Sequence, residues 1–367
     1  MRLNIQSKQR TYPIVFSDEG LSTFVETLTE NRILDSVVLG CNKTLLELYG
    51  NSLCKDLKNK GISVHLLLVP DGEEHKNIQT YVELSHKLDQ FPIHRKTAFI
   101  ALGGGVTGDM VGFLAATYLR GVPFVQVPTT LLAMVDSSVG GKVGVNTNKG
   151  KNRMGAFYPP ILVFIAPEVL KTLPQEEWLC GLGEVVKHGI LLDTTILDLC
   201  EEMAAAIASS NLQKITSEWI NELVLRNCNV KKAIVEQDEF EQGARAMLNL
   251  GHTVGHAIES SLGHQIQHGI CIAWGLLMEL SWSVRQGTLD KQSYRRISSL
   301  ISNMGFPDLP TDISQESLIS FAKNDKKRDG KGFIPITSLH DLGKPELYSL
   351  SVNNLPNLFH PPKEISA

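Results

Sequence analysis

Thr97-Ala-Phe-Ile-Ala-Leu102 runs directly into Gly103-Gly104-Gly105-Val106-Thr107-Gly108-Asp109, and this into Met110-Val111-Gly112-Phe113-Leu114-Ala115. A short apolar run, a glycine cluster and a second, longer apolar run read as a strand, a loop and a helix in succession. Glycines at such a joint let backbone N–H groups approach an anion closely, and the start of the helix adds a favourable dipole. The spacing matches neither the GxGxxG fingerprint nor the lysine-bearing phosphate loop, so by itself the joint serves equally as a ligand cradle or a structural turn.

Outward from this joint, Ser36–Leu39, Ile62–Val69, Pro123–Val127 and Ile161–Ile165 are further apolar runs of strand length. Lys43–Lys60 and Asn77–Gln90 lie between them with helical periodicity. This βαβ alternation predicts a mostly parallel sheet. Beyond Pro174 the β-rich runs nearly vanish, and Leu192–Ser209, Ser217–Glu236, Gly269–Gln286 and Lys291–Met304 carry apolar residues at helical spacing. The expected organisation is an α/β unit over residues 1–175 and an all-α unit over 176–367, with the boundary in Leu173–Gly183, where Pro174 and two glycines break the periodicity.

Two other predicted strands end in polar joints. Asp71-Gly72-Glu73-Glu74-His75-Lys76 offers carboxylates suited to ribose hydroxyls, although a capped turn explains it as well; Pro128-Thr129-Thr130 ends the next strand. Open α/β sheets bind ligands outside the carboxyl ends of their strands, so three polar joints there make a dinucleotide crevice credible.

Composition excludes more than it identifies. With 367 residues, 43% hydrophobic and 20% charged, the chain can bury a large core, and a net charge of −4 argues against non-specific nucleic-acid binding. The six cysteines, Cys41, Cys54, Cys180, Cys200, Cys228 and Cys271, are scattered without a CxxC pair, which predicts buried thiols in a reducing compartment. The opening MRLNIQSKQR has no apolar signal core and no stretch approaches a membrane span, so a cytoplasmic protein is expected.

The second half concentrates chemistry between Glu241 and His268. If Arg245–His256 is helical, Arg245, Asn249, His252 and His256 share an arc of about 60°. Two imidazoles, a guanidinium and an amide suit a metal beside an anion. His252 and His256 are spaced i, i+4, as are Glu184 and His188, and spacing alone does not choose the ligands. Two histidines and a carboxylate on a divalent ion would leave a position open for a substrate oxygen. Lys142, Lys151 and Asn152, with Lys187, Lys231, Arg245 and the Asp325–Arg328 cluster, add basic and polar groups fit for a small, multiply anionic substrate. Lys142 follows Ser137-Ser138-Val139-Gly140-Gly141, a setting suited to gripping phosphate.

The segments GGGVTGDMVGF (103–113), RGVPFVQVPTTLLAMVDSSVGGKVGVN (120–146), KNRMGAFYPP (151–160), GLGEVVKHGI (181–190), DEFEQGARAMLNLGHTVGHAIE (238–259), His268-Gly269 and NDKK (324–327) resemble the 3-dehydroquinate synthase family, in order, over roughly residues 70–330. The resemblance implies a Rossmann-like, NAD-binding first domain, a metal-binding helical second domain and a homodimer. It implies conversion of a sugar phosphate, 3-deoxy-D-arabino-heptulosonate 7-phosphate, to 3-dehydroquinate and inorganic phosphate, with NAD and a divalent metal, zinc or cobalt. Glu184, His252 and His268 match the family's metal ligands. Asp71, Gly72, Glu73, Glu74, His75, Lys76, Gly105, Val106, Thr107, Gly108, Asp109, Thr129, Thr130, Asp136, Lys142, Lys151, Val169, Leu170, Lys171 and Thr172 match positions that contact NAD. Lys142, Asn152, His256 and Lys326 match groups around the substrate phosphate, and Arg120 one that the neighbouring subunit contributes. Lys187, Lys231, Arg245 and Asn249 match contacts to hydroxyls and carboxylate. Ile270 stands where many members carry an acid, which puts the tuning of the metal's surroundings in doubt. Three rivals are a carbocyclase of the same superfamily acting on another sugar phosphate, a metal-dependent polyol dehydrogenase and a non-catalytic NAD-binding or scaffold protein, the last of which would have no reason to keep the ligand triad and the lysines together. Arg245 and Asn249 argue against a substrate without a carboxylate, and net NADH release would mark a dehydrogenase.

Overall fold

A computed structural model describes residues 1–30, 34–148, 150–310, 313–323 and 332–360. The chain divides into two compact units, Met1–Leu173 and Pro174–Ala367.

The first unit is built on a seven-stranded sheet. Its strands are β1 (Arg2–Ile5), β2 (Tyr12–Phe16), β3 (Ser36–Cys41), β4 (Ser63–Leu68), β5 (Ala98–Gly103), β6 (Phe124–Pro128) and β9 (Leu162–Ile165), in the order β1-β2-β9-β6-β5-β3-β4. Every pairing except β1 with β2 is parallel. The central strands β3, β5, β6 and β9 are buried along their whole length, which is why they read as unbroken apolar runs. Helices α1 (Phe24–Thr29), α2 (Lys43–Leu45), α3 (Asn51–Asn59), α4 (Ile78–Leu88) and α5 (Gly105–Thr117) supply the remaining cover. After β4 the chain crosses to the far side of β3 to make β5, so the order of the strands reverses between β3 and β5. Ligands of open α/β sheets sit outside the carboxyl ends of the strands at such a point. A separate hairpin, β7 (Lys142–Thr147) with β8 (Gly150–Phe157), follows β6.

The second unit is helical: α6 (Gln175–Leu191), α7 (Thr195–Ala208), α8 (Ser217–Gln237), α9 (His252–Ser261), α10 (His268–Arg285), α11 (Lys291–Asn303) and α12 (Gln315–Lys323). Three sequence expectations need correction. Gly181 and Gly183 do not interrupt structure, because α6 runs straight through them. Arg245–His256 is not one helix: a 3₁₀ turn over Ala244–Asn249 ends at Leu250, and α9 starts afresh after Gly251, whose φ of 76° is left-handed. The unit is also not purely helical, since β10 (Phe333–Asp341) and β11 (Lys344–Ser351) form an antiparallel hairpin, and Gly343 N–H at its turn donates to Ile190 O at the end of α6 (2.8 Å). No disulfide links the six cysteines, and five of them are buried. No helix among the described residues is long and apolar enough to cross a membrane.

Candidate active-site residues of the two units

In the first unit the glycine joint lies at the reversal. Gly103 ends β5, and Gly104, which has no side chain to cap with, precedes α5, whose first turn holds Gly105, Val106, Thr107 and Gly108. A Cβ on Gly103 would come within 2.5 Å of Thr107, and one on Gly104 within 3.0 Å of Thr130. Only glycine leaves this cradle open to a phosphate. Thr129 N–H donates to Gly103 O (3.1 Å), fastening the end of β6 to the same loop. Asp136 lies in the helical turn Ala133–Ser137 that follows.

The 71–76 joint closes on the glycine loop through Lys76, a buried side chain whose Nζ is 2.6 Å from Asp109 Oδ2. Gly72 adopts φ 97° at the entry to the 3₁₀ turn Glu73–His75, which holds Glu74. Glu73 Oε1 accepts from Asn146 Nδ2 (2.8 Å) and lies 3.9 Å from Lys151 Nζ. Asn146 in turn donates its N–H to Lys76 O (2.8 Å) and accepts from Asn152 N–H (2.8 Å). The β7–β8 hairpin, with Lys142 at its start, is thereby tied to the 71–76 joint, and through Lys76 to Asp109. A cleft of about 350 Å³ at the ends of β3 and β4 takes Asn42, Lys43 and Thr44 together with Asp71 and Lys87. The sequence places Lys43 and Thr44 only in a helical segment and Asn42 nowhere, because the predicted strand stops at Leu39 whereas β3 runs on to Cys41.

One further turn lies past the carboxyl end of β9, which runs parallel to β6, and one residue stands apart. Val169, Leu170, Lys171 and Thr172 form a 3₁₀ turn after β9, where the Tyr49 hydroxyl bonds Thr172 Oγ1 (2.7 Å). Arg120 is exposed in a turn past the far end of α5, with φ 63°, between Leu119 at 50° and Gly121 at 115°. At 1.5 Å per residue, α5 carries it about 20 Å from the glycine loop.

In the second unit three helices bring their residues to one point. Glu184 on α6, His252 opening α9 and His268 opening α10 converge: Glu184 Oε1 is 3.3 Å from His252 Nε2 and 3.4 Å from His268 Nε2. A tetrahedral zinc ion with bonds of about 2.0–2.1 Å separates its ligand atoms by about 3.3–3.4 Å, so this donor set fits one. His256 brings a ring nitrogen within 4.8 Å of those of His252 and His268, which gives a second set of three sharing two members. Glu184 differs in contributing negative charge. Glycine contacts between helix backbones make the convergence possible. A Cβ on Gly269 would stand 1.7 Å from Cys180 O on α6, and one on Gly275 2.0 Å from Gly251 O before α9.

Burial works against the Glu184 carboxylate, yet the Lys187 ammonium beside it, with a hydrogen bond from His268, holds it well below the usual carboxylate range. Burial pushes His252 down to about 3, so that ring is neutral. His268 is also pulled down by burial, but hydrogen bonds to Glu184 and Glu259 and the charges of both carboxylates prevail and raise it to about 9. His188, the other candidate on α6, is instead fully buried, with Nδ1 3.0 Å from Asn227 Oδ1.

Lys187, Lys231 and Arg245 are all buried, which is unusual for cations on a helical surface. Arg245 follows a loop organised by Asp238, whose carboxylate accepts the N–H groups of Gln242, Gly243 and Arg245 at 2.9, 2.7 and 3.0 Å. Asn249 Nδ2 donates to Glu241 Oε1 (3.1 Å). Lys326 lies outside the described residues. Two buried carboxylates are not singled out by the sequence: Glu259, 3.4 Å from His268 Nδ1, closes the 238–259 segment without a role of its own there, and Glu279 lies outside every such segment.

Two family models cover most of the chain: 3-dehydroquinate synthase N-terminal over residues 66–180 and 3-dehydroquinate synthase C-terminal over 181–328. A relative from Geotalea uraniireducens named 3-dehydroquinate synthase is 42% identical over 327 residues, 88% of this chain and 89% of its own length. The fold is shared with a solved structure of 2-deoxy-scyllo-inosose synthase complexed with carbaglucose-6-phosphate, NAD+ and Co2+ (TM-score 0.85, 24% identity, 98% of this chain and 99% of that one). It is shared equally with ValA, a 2-epi-5-epi-valiolone synthase from Streptomyces hygroscopicus subsp. jinggangensis 5008 with NAD+ and Zn2+ bound (TM-score 0.85, 23% identity, 98% of each chain). By the length and identity of these matches, the chain belongs to the 3-dehydroquinate synthase family.

Proposed function

We propose that this chain converts 3-deoxy-D-arabino-heptulosonate 7-phosphate to 3-dehydroquinate and inorganic phosphate. The observation that carries the proposal is the Glu184, His252 and His268 donor set, held at ion spacing on three helices. These three side chains would hold the divalent ion, zinc or cobalt, and the glycine cradle with Asp71–Lys76, Gly105–Asp109, Thr129, Thr130 and Asp136 would hold NAD. When bound, the ion supplies a Lewis acid for a substrate hydroxyl and NAD a transient acceptor of hydride.

The protein's own groups do the positioning. Lys142 and Asn152, with His256 and Lys326, grip the phosphate that leaves, and Lys151 and Val169–Thr172 complete the dinucleotide contacts. Lys187 and Lys231 bind hydroxyls, and buried Arg245, with Asn249, pairs with the carboxylate, a planar fork matched to a planar anion. A sister carbocyclase is disfavoured because its sugar-phosphate substrates give Arg245 no carboxylate to bind. Arg120, about 20 Å along α5 from the glycine cradle, serves a neighbouring copy in a homodimer. Mixing Arg120→Ala with Lys142→Ala protein is expected to restore activity that neither has alone.

The deciding assay measures phosphate release from the heptulosonate phosphate with catalytic NAD+, before and after chelation and zinc restoration. The expected result is metal-dependent phosphate release without net NADH. Accumulating NADH would instead identify a polyol dehydrogenase, and release untouched by complete chelation would refute the metal's role.

A further inference from the structure

His252 is held from behind. Its Nδ1 is 3.1 Å from Leu250 O, a bond in which Nδ1–H donates and which leaves the Nε2 lone pair directed to the Glu184 side. The Leu250 carbonyl belongs to the same planar peptide unit as the Gly251 N–H, and in a trans peptide these two groups point in opposite directions. That N–H donates to Glu279 Oε2 at 2.7 Å, while Glu279 Oε1 accepts Val254 N–H at 3.2 Å. Glu279 is 2% exposed and comes from α10, the helix whose first residue is His268.

We infer that Glu279 is a positioning residue for His252, acting through the Leu250–Gly251 peptide plane; the inference rests on the metal-binding reading above. Three physical effects act together. The carboxylate satisfies two N–H groups at the start of α9, where Gly251 has no side chain to do so. It polarises the shared peptide, which makes the Leu250 carbonyl a stronger acceptor for the imidazole. It also ties the start of α9 to α10, so that His252 and His268 are set relative to each other by one buried side chain. Ile270 contributes none of this. It is a buried apolar residue within the first turn of the same helix.

The test uses full-length, metal-stripped protein. Glu279→Gln keeps the side chain's shape but turns an amide toward one of the two N–H groups. Zinc affinity, read by competition with a chromophoric chelator, is expected to fall about 10- to 100-fold, and the visible bands of the cobalt-loaded protein to change. In a His252→Ala background the same substitution is expected to alter residual affinity by less than about twofold, since the residue through which it acts is gone. Zinc affinity and cobalt bands equal to wild type, even with lowered thermal stability, would reduce Glu279 to a helix cap and overturn the inference. So would an undiminished effect in the His252→Ala background. Should Glu279→Gln not fold, the wild-type protein decides the matter: zinc binding is expected to shift the Gly251 amide resonance in ¹⁵N-glycine-labelled protein, and a stationary resonance overturns the relay. Wild-type protein that takes up no zinc refutes the metal reading itself, whereas wild-type uptake with an unaffected Glu279→Gln variant refutes only the relay.

Discussion

The glycine loop of the first unit and the histidine cluster of the second both depend on glycine, but for opposite ends. Around Gly103–Gly105 the missing side chains leave room for a ligand, and the groups offered to it are backbone N–H at the start of α5. At Gly269 and Gly275 the missing side chains let helices touch backbone to backbone, and the groups offered are the side chains of the adjoining residues. His268 precedes Gly269, His252 follows Gly251 and Glu184 follows Gly183. A cradle made of backbone tolerates small shifts because the anion can settle into it. A donor set for an ion does not, because bond lengths near 2 Å leave about 0.2 Å of tolerance.

The sharpest break of this contrast is Gly269→Ala. Its new methyl would lie 1.7 Å from a backbone oxygen, which no rotamer relieves, so α6 and α10 must separate. Destabilisation of about 4 kcal/mol or more is expected in metal-free protein, together with loss of zinc, measured by thermal unfolding and metal analysis. His252→Ala leaves the helices packed but removes one of three ligands. Taking a third of the roughly 10 kcal/mol such sites gain, zinc affinity is expected to drop a few hundredfold and activity to vanish, while NAD+ binding survives. Full zinc occupancy with wild-type turnover would contradict the ligand assignment.

The first unit responds differently. Asp109→Ala removes the carboxylate 2.6 Å from the buried Lys76 ammonium, and breaking a buried ion pair of this kind costs about 3 kcal/mol. NAD+ affinity is expected to fall roughly tenfold as the 71–76 joint loosens from the glycine loop, with zinc affinity unchanged. Equal loss of both would mean that the two units do not divide the labour as described.

How much of this could be read in the chain follows from where each signal resides. The parallel strands were legible because strands buried on both faces are continuous apolar runs, as Ser36–Cys41 and Ala98–Gly103 are. Strand β8 was not, since it is mostly exposed and carries Lys151, Asn152 and Arg153 in succession. Gly181 and Gly183 read as a break because helix propensity penalises glycine, whereas at Gly183 close packing against Gly269 of α10 outweighs that local cost. Spacing offered two i, i+4 pairs in the second unit and could not rank them; the resemblance to the family did. The break at Gly251 and the part played by Glu279 were beyond reach, because a buried carboxylate that caps another helix is defined only by the packing that buries it.

The smallest expected effect concerns protons. His252, already neutral, has none to give up when an ion arrives, whereas His268 keeps one at neutral pH because Glu184 and Glu259 raise it to about 9. With a folded value above the ordinary 6.5, that proton stabilises the metal-free fold fully below about pH 6.5, and the contribution is lost as pH rises through 9. An ion must displace the same proton, so its affinity changes in the opposite sense. Zinc affinity is expected to rise up to about tenfold per pH unit between pH 7 and 9 and to flatten above. Glu259→Gln takes away one of the two carboxylates that retain the proton, and the rise is expected to level off at lower pH. Chelator competition from pH 6 to 9.5 measures both curves. A flat profile in the wild-type protein would show that His268 is neutral in the metal-free state, and that Glu259 orients the ring without holding its proton.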